Sequence, residues 1–516
     1  MSDRGSRHYW ARALAVIPLV VPGLTGVAKA GETSDIRLLE AARNQDQKTI
    51  RELVSQKVDV NARSTDGSTA LLWVAHWNDA EAADLLLRAG ADANAANDFR
   101  TTPLSEACLS GNSTLVRLLL KSGANPNTPI ATGETPLMTC ARTGAADAVR
   151  LLVEYGAAVN TKEPRQNQTA LMWAAAERHP EVVTALIDAH ADLQANTKQG
   201  FTALHFAARV GDLESVKRLL TAGVNINILT QTADRATNRV TSQLGIAKSV
   251  GTIGYTPLLV AVVRGQVDLA LYLLDHGADP NILAAGYTPL HWAASKWESF
   301  TANPVYGFDD PMAGIPDRQA KLRLIRALLA HGAHVNAGMT KPQPNFAGGY
   351  LDAVGATPFL LAASANDLEI MRILLDAGAD PKIRTATNAS AIMAAAGLNH
   401  SIGEDTVTEA QAMETVKFLL DLGVDPKGET TFGENALFGP AYRGWNTLLA
   451  QLIDLGVNAN AVSKAGVTPW LAANGNGDRL GGVLYNKKGA ELLRQHGADP
   501  ALGHPCEAQN KCRAEQ

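Results

Sequence analysis

The sequence predicts an all-α solenoid of about twelve helix-turn-helix repeats, and two observations carry this prediction. A triplet resembling Thr-Pro-Leu recurs along the 516 residues, at positions 69, 102, 135, 169, 202, 256, 288, 357, 390, 435 and 468. Most steps between these positions are 32–34 residues, and self-similarity at such a period is the signature of a repeat array. Each copy also closes on a turn of the Leu-Leu-x-x-Gly-Ala type, where glycine suits the end of a helix.

The copy over residues 254–281 shows how one repeat is built. Thr256 predicts a helix N-cap and Pro257 suits the first helical position, where its missing N–H has no helical partner to lose. Gly265 ends this first helix, and a second apolar helix runs to Gly277. Helices of about ten residues are not stable alone in water. The copies must therefore stack on one another to bury their apolar faces.

The repeat resembles the ankyrin repeat, with its Thr-Pro-Leu-His-x-Ala opening. The match is close at residues 288–293 (TPLHWA) and 202–207 (TALHFA), and the resemblance covers roughly residues 34–502. It implies a β-turn finger followed by two antiparallel helices. We interpret residues 34–61 as a polar N-terminal capping repeat and 466–500 as the C-terminal one, which gives twelve repeats.

The first thirty residues do not belong to the array. Three arginines precede an apolar run over residues 13–27, and an Ala-x-Ala pattern ends at Ala30. This order is typical of a cleaved secretory signal peptide, so residues 1–30 predict export to the periplasm (or secretion) of a chain whose array occupies 31–502. An uncleaved membrane anchor is the alternative, although about twenty apolar residues are needed to span a bilayer.

Charge and cysteines limit the function further. The formal net charge is −5, and removal of residues 1–30, which carry +3, leaves −8. A chain without a basic stripe is a poor nucleic-acid binder. Cys108 and Cys140 are predicted to be small buried thiols. In a polar tail over residues 503–516, Cys506 and Cys512 are predicted to form a disulfide.

Long steps in the period locate four insertions. They lie near residues 229–252, 297–316, 338–354 and 401–411. The first and third insertions lengthen fingers. Each of the other two separates the first helix of its repeat from the second. The two long fingers flank a short finger, so we expect them to stand about 20 Å apart and wall a cleft. That both are solvated spacers is the other interpretation.

Candidate binding residues follow from positions that the family exposes on its concave side. The residue before the opening threonine is aromatic in three successive repeats, which predicts an exposed row of Phe201, Tyr255 and Tyr287. Aromatic and arginine side chains dominate binding hot spots. The remaining candidates are Trp77, Arg209, Arg264, Lys296, Tyr442 and Arg443.

These features favour a non-enzymatic scaffold that binds another protein. The sequence contains no phosphate-binding loop, nucleophile elbow or zinc motif, so we expect no catalytic residue, cofactor or metal. His205 and His291 match the family's opening histidine, which belongs to the hydrogen bonds of the turn. Two alternatives stay open: a dedicated accessory or inhibitor subunit of an exported enzyme, and a metal-dependent enzyme that uses the insertions over 297–354.

Overall fold

The computed structural model describes residues 36–230, 254–295, 315, 317–341, 353–398, 407–475 and 485–503. Over these residues the chain forms twenty-four α-helices and no strand. The helices follow one another in twelve consecutive pairs, which confirms the predicted all-α repeat architecture. The predicted signal peptide, nearly all of the tail and most of the predicted insertions lie outside the described residues.

Repeat 1 consists of α1 and α2, repeat 2 of α3 and α4, and so on to repeat 12. The first helices are α1 Arg37–Arg43, α3 Ala70–His76, α5 Pro103–Ser110, α7 Pro136–Arg142, α9 Ala170–Ala176, α11 Ala203–Val210, α13 Pro257–Val263, α15 Pro289–Ala294, α17 Pro358–Ser364, α19 Ala391–Ala395, α21 Phe438–Arg443 and α23 Pro469–Ala473. The second helices are α2 Gln47–Ser55, α4 Ala80–Arg88, α6 Ser113–Lys121, α8 Ala146–Glu154, α10 Pro180–Asp188, α12 Leu213–Thr221, α14 Val267–Asp275, α16 Arg318–Ala330, α18 Leu368–Asp376, α20 Glu409–Asp421, α22 Asn446–Asp454 and α24 Lys487–Gln495.

The opening threonine starts the first helix by capping it. In repeat 7, Thr256 has an extended backbone, and its hydroxyl accepts a hydrogen bond of 3.0 Å from the backbone N–H of Leu259. Pro257 occupies the first turn, where no N–H is required. Gly265 and Gly277 follow the two helices with φ values of +69° and +91°, a left-handed conformation that costs glycine little.

The two helices of a repeat bury different fractions of their surface. Every residue of α13 is buried, whereas α14 buries only one stripe. From α1 to α17, each first helix packs on the first helices of its neighbours as well as on its own second helix. One apolar core, built mainly of alanine and leucine, therefore runs from Leu38 to Ala498. Each repeat depends on the next for burial, as in other solenoids.

The two long fingers close at their bases. Where the first one leaves the array, the N–H of Thr230 donates to the carbonyl of Tyr255 over 2.9 Å. At the second, the N–H of Met339 donates to the carbonyl of Ala356 over 3.0 Å. The chain thus returns to the point from which it departed. The repeats on either side of each finger can stack as if nothing had been inserted between them.

Two second helices are longer than the others. Helix α16 begins at Arg318 and α20 at Glu409, and each has 13 residues, whereas the other second helices have nine. The expectation that residues 401–411 are all inter-helix loop is wrong for the last three. Thr408 caps α20 and exchanges hydrogen bonds with Gln411 in a capping box, a strong helix-start signal.

Asparagines on the finger side join consecutive repeats. Asn94 donates from Nδ2 to the carbonyl of Gly123 over 2.9 Å and accepts the N–H of Asn125 over 2.7 Å. The N–H to Oδ1 contact recurs at 2.7–2.9 Å at eight of the eleven junctions, those of Asn61, Asn94, Asn127, Asn160, Asn227, Asn281, Asn336 and Asn460. At the other three junctions the position is occupied by Gln194, Lys382 and Lys427.

Cys108 and Cys140 form a disulfide, so the prediction of two free buried thiols is wrong. Their Cα atoms lie 4.6 Å apart, within the range that a disulfide bridges. Both residues are fully buried, on α5 and α7. The bridge is possible because the first helices α5 and α7 pack on each other. Cys506 and Cys512 lie outside the described residues, and their pairing stays a prediction.

Candidate functional site

Tyr255 and Tyr287 are core residues, which corrects the prediction of an exposed aromatic row. They are 4% and 1% exposed. Their hydroxyl groups hydrogen-bond to each other, and the Tyr287 ring stacks on Trp292 at a centroid distance of 6.0 Å. Burial raises the pKa of both phenols above the ordinary value. These two side chains join repeats 7 and 8 and present no surface to a partner.

In repeat 7, the residue before the opening threonine is held against the preceding repeat. The backbone carbonyl of Tyr255 accepts a hydrogen bond of 3.1 Å from Nε2 of His205 in the preceding repeat. Phe201, the third member of the predicted row, is only half-buried, and its ring lies 5.9 Å from that of Phe206. It borders the core rather than standing free. The three aromatic residues therefore do not form one concave row.

His205 and His291 serve the turns, as predicted. In His205, Nδ1 accepts the N–H of Thr202 over 3.2 Å, and in His291 it accepts that of Thr288 over the same distance. Each ring donates from Nε2 to a carbonyl of the next finger. Burial lowers the pKa of both imidazoles to about 4. The neutral form is required because a protonated Nδ1 could not accept the threonine N–H.

Trp77 is exposed as predicted, and it is part of a larger cluster. Its side chain is 41% exposed, and its indole N–H donates to the carbonyl of Arg43 over 3.1 Å. The ring stacks on Trp73 at a centroid distance of 6.5 Å, and His76 packs edge-on at 4.8 Å. The Arg43 guanidinium lies 5.4 Å from the centre of the Trp73 ring. Three aromatic rings and one guanidinium group thus lie together at one exposed place.

Two further arginine–aromatic contacts lie on first helices farther along the array. The Arg142 guanidinium is 5.7 Å from the Trp173 ring, between repeats 4 and 5. Arg209, a predicted candidate, is 5.5 Å from the Phe206 ring in repeat 6. Such cation–π contacts stabilise by roughly 0.5–2 kcal/mol and hold the guanidinium in place.

The sequence interpretation missed the Arg142–Trp173 contact because no motif marks it. A signal was nevertheless present, since Arg142 precedes Trp173 by 31 residues, almost one repeat. The exposed and half-exposed side chains of these helices together form what we call the first-helix surface: Arg43, Trp73, His76, Trp77, Arg142, Trp173 and Arg209.

The other candidates lie elsewhere or are only partly exposed. Arg264 is half-buried and follows α13, where its charge opposes the rise in the Tyr255 pKa. Tyr442 and Arg443 are half-buried at the end of α21, and the Arg443 guanidinium lies 4.3 Å from the ring of Trp445. Lys296 lies outside the described residues. The structure therefore does not bring all the candidates into one site.

Metal ligands and membrane-spanning helices are two further features that bear on the kind of site. In the part of the chain that the structure describes, no three or more His, Cys, Asp or Glu side chains group as metal ligands. Nearly all of the insertion over 297–316, which the metal-dependent alternative would use, lies outside that part. Over the same described residues, no helix is both long and apolar enough to cross a bilayer.

Capped helix pairs, fingers and asparagine junctions define a helical-repeat solenoid. The model for ankyrin repeats in three copies matches residues 38–130, 128–197, 160–230 and 236–302, and the single ankyrin repeat model matches residues 354–386. These matches cover more than half of the chain. The chain belongs to the ankyrin repeat family.

Individual relatives match only part of the chain. Protein PhlB of Serratia liquefaciens is 35% identical over 127 residues, which are 24% of this chain and 47% of that protein. The B-cell lymphoma 3 protein homolog of Mus musculus is 31% identical over 137 residues, 26% of each chain. This chain thus spans less than half the length of either relative. The solved ankyrin repeat domain of human ASB11 aligns with a TM-score of 0.39 and 22% identity, covering 47% of this chain and 98% of that domain.

Proposed function

We propose that this protein is an exported, non-enzymatic scaffold that binds a partner protein through the first-helix surface. Membership of the ankyrin repeat family supports a role in protein binding. One observation carries the choice of surface: arginines contact aromatic rings at three places along the first helices of repeats 1–6. In this family the first helices line the concave side of the stack. Tryptophan and arginine are the residues most enriched in binding hot spots.

The geometry of the surface suits an interface. Trp77 and Trp73 are stacked on each other, and Arg43 is held above Trp73. Because these side chains already pack against one another, binding a partner costs them little further conformational entropy. The surface is also extended rather than enclosed, since it runs over several repeats. Extended surfaces of this kind fit a folded protein better than a small molecule.

Two observations support export. Residues 1–30 carry the basic start, apolar run and Ala-x-Ala pattern of a signal peptide. The Cys108–Cys140 disulfide is buried in the core, and structural disulfides form and persist in oxidising compartments such as the periplasm. Sequencing of the mature N-terminus should find Gly31 or a neighbouring residue. Full-length protein recovered from the cytosol alone would contradict export.

The binding proposal is tested by capture from a periplasmic extract. The double substitution Trp77→Ala and Arg209→Ala should reduce the recovered partner by about tenfold or more, because hot-spot truncations cost about 2 kcal/mol each. Tyr485→Ala with Arg494→Ala is the matched control, since both residues are exposed at the other end of the array. Equal recovery with both variants would overturn the choice of surface. A single partner recovered in a tight one-to-one complex would indicate a dedicated accessory or inhibitor.

A further inference from the structure

A cleft with several charged side chains lies on the opposite edge of the array from the fingers, at repeats 8–10. It has a volume of about 530 Å³ and is lined by residues of α16, α20 and the turn between α17 and α18. This edge carries the turns between the two helices of each repeat. The cleft is therefore separate from the first-helix surface.

The two lengthened helices form the walls of the cleft. Helices α16 and α20 have 13 residues each, whereas α18 between them has nine. Four extra residues lengthen an α-helix by about 6 Å, which is one turn on each wall. Helix α18 also approaches α16 and α20 less closely than α14 approaches α16. The second helices are thus splayed at this point, and the first turn of α18 becomes a recessed floor.

The cleft offers more hydrogen-bond acceptors than free donors. On the floor, the Asn366 side chain donates from Nδ2 to the carbonyl of Ala395 over 3.2 Å, while its buried Oδ1 accepts no hydrogen bond. Glu369 and Glu414 expose carboxylates on the floor and on the α20 wall. A buried acceptor without a donor is destabilising, and an occupant that supplies N–H groups would offset part of that destabilisation.

The basic residues of the cleft are already engaged. Arg318 donates to Asp367 over 2.7 Å and to Glu369 over 2.9 Å. Lys321 is 6% exposed, and its ammonium donates to the carbonyl of Ser295 over 2.6 Å. Although burial opposes it, hydrogen bonding from Arg318 keeps the pKa of Asp367 below its ordinary value, so that carboxyl stays ionised. The five charged residues of the cleft sum to −1.

The sequence adjoining both walls is acidic as well. Residues 296–316, which precede α16, carry a net charge of −2, and residues 399–406, which precede α20, carry −2. Apolar side chains of Ile315, Ala365 and Leu368 also line the cleft. A lysine or arginine stem packs well on such groups while its charged end reaches carboxylates.

We propose that this cleft binds a basic segment of a partner protein, which inserts a lysine or arginine side chain between α16 and α20. The side chain would lie on the floor of α18, with its N–H groups directed to the carboxylates of Glu369 and Glu414. The cleft volume suits one or two side chains rather than a folded domain. The net negative charge of the cleft lining also attracts a basic segment before contact.

Fluorescence anisotropy on the purified protein tests the proposal, with a labelled peptide of alternating lysine and glycine as the probe. Glu369→Gln with Glu414→Gln should weaken peptide binding by about tenfold or more, because charged contacts that are partly desolvated are lost. Glu81→Gln with Glu214→Gln is the matched control. The control removes the same charge from the first turns of α4 and α12. It therefore changes only the long-range electrostatic field at the cleft, and peptide binding should weaken by about twofold or less.

Three outcomes would overturn the proposal. The first is no binding of the lysine peptide to the unaltered chain. The second is an equal loss of affinity in the two double variants, which would assign binding to net charge alone. The third is equal binding of a peptide of alternating glutamate and glycine. The experiment needs neither export nor the first-helix surface, so its failure and that of the proposed function are distinguishable.

Discussion

Breaking the Cys108–Cys140 disulfide should destabilise the N-terminal part of the array. The bridge joins residues 32 positions apart in the sequence. The loop-entropy relation gives about 4 kcal/mol for a closed loop of this size. Two perturbations are available: reduction of the unaltered chain by dithiothreitol, and the double substitution Cys108→Ala with Cys140→Ala. Because alanine leaves only small voids at these two positions, the two perturbations should give similar results.

Hydrogen exchange followed by mass spectrometry measures the effect where it occurs. Amides of α5 to α8 should exchange about 500-fold to 1,000-fold faster without the bridge, since each 1.4 kcal/mol is a factor of ten. Amides of α21 to α24 provide the internal control, because solenoid repeats contact only their neighbours. Equal exchange in the oxidised and reduced chains would refute the stabilisation.

Thiol counting on the unfolded, non-reduced chain tests the bridge itself. No reactive thiol is expected if Cys506 and Cys512 also pair, and two are expected at those positions if they do not. Reactive thiols at Cys108 and Cys140 would show that the bridge does not form. That result would remove one of the two observations that support export.

Three further predictions follow from contacts between repeats. Tyr255→Ala and Tyr287→Ala should each lower the free energy of unfolding by about 3–5 kcal/mol in denaturant titrations, whereas unchanged midpoints would mean that these residues are on the surface. Acidification from pH 6.5 to pH 4 should destabilise the array by about 3 kcal/mol for each of His205 and His291. In the unfolded chain each imidazole takes up a proton over this range, whereas in the folded chain its pKa is lowered to about 4 and it stays largely neutral. A thermal midpoint that does not change over this range would contradict the neutral assignment. Lys382→Asn should raise stability by about 1 kcal/mol by supplying the missing junction contact, and a lower thermal midpoint would count against that role of the asparagines.

The repeat architecture could be predicted because its signals are local. A capping threonine, a proline in the first turn and a glycine at the helix end each act within a few residues, and the period repeats them. The start of α20 was missed even though Thr408 and Gln411 form a capping box. That signal is also local, but residues 401–411 were assigned to an insertion because of the 45-residue step in the period.

The candidate binding residues could not be predicted as well as the fold, because their exposure depends on contacts between repeats. Tyr255 and Tyr287 are held in the core by their mutual hydrogen bond and by the hydrogen bond from His205 to the Tyr255 carbonyl, neither of which appears in one repeat alone. Trp77 was found because its position is exposed in the family. The Cys108–Cys140 bridge depends on the packing of α5 against α7, which no signal within one repeat shows.

The asparagine junctions also determine how the array responds to mechanical load. Force applied at the two ends passes through every junction in series, because each repeat contacts only its neighbours. Three junctions have Gln194, Lys382 or Lys427 in place of asparagine, and these divide the array into unequal blocks. Repeats 1–5 form the longest block, and within it the disulfide locks repeats 3 and 4 together. Under tension the chain should therefore extend in a few discrete steps of different size, with the bridged block yielding last.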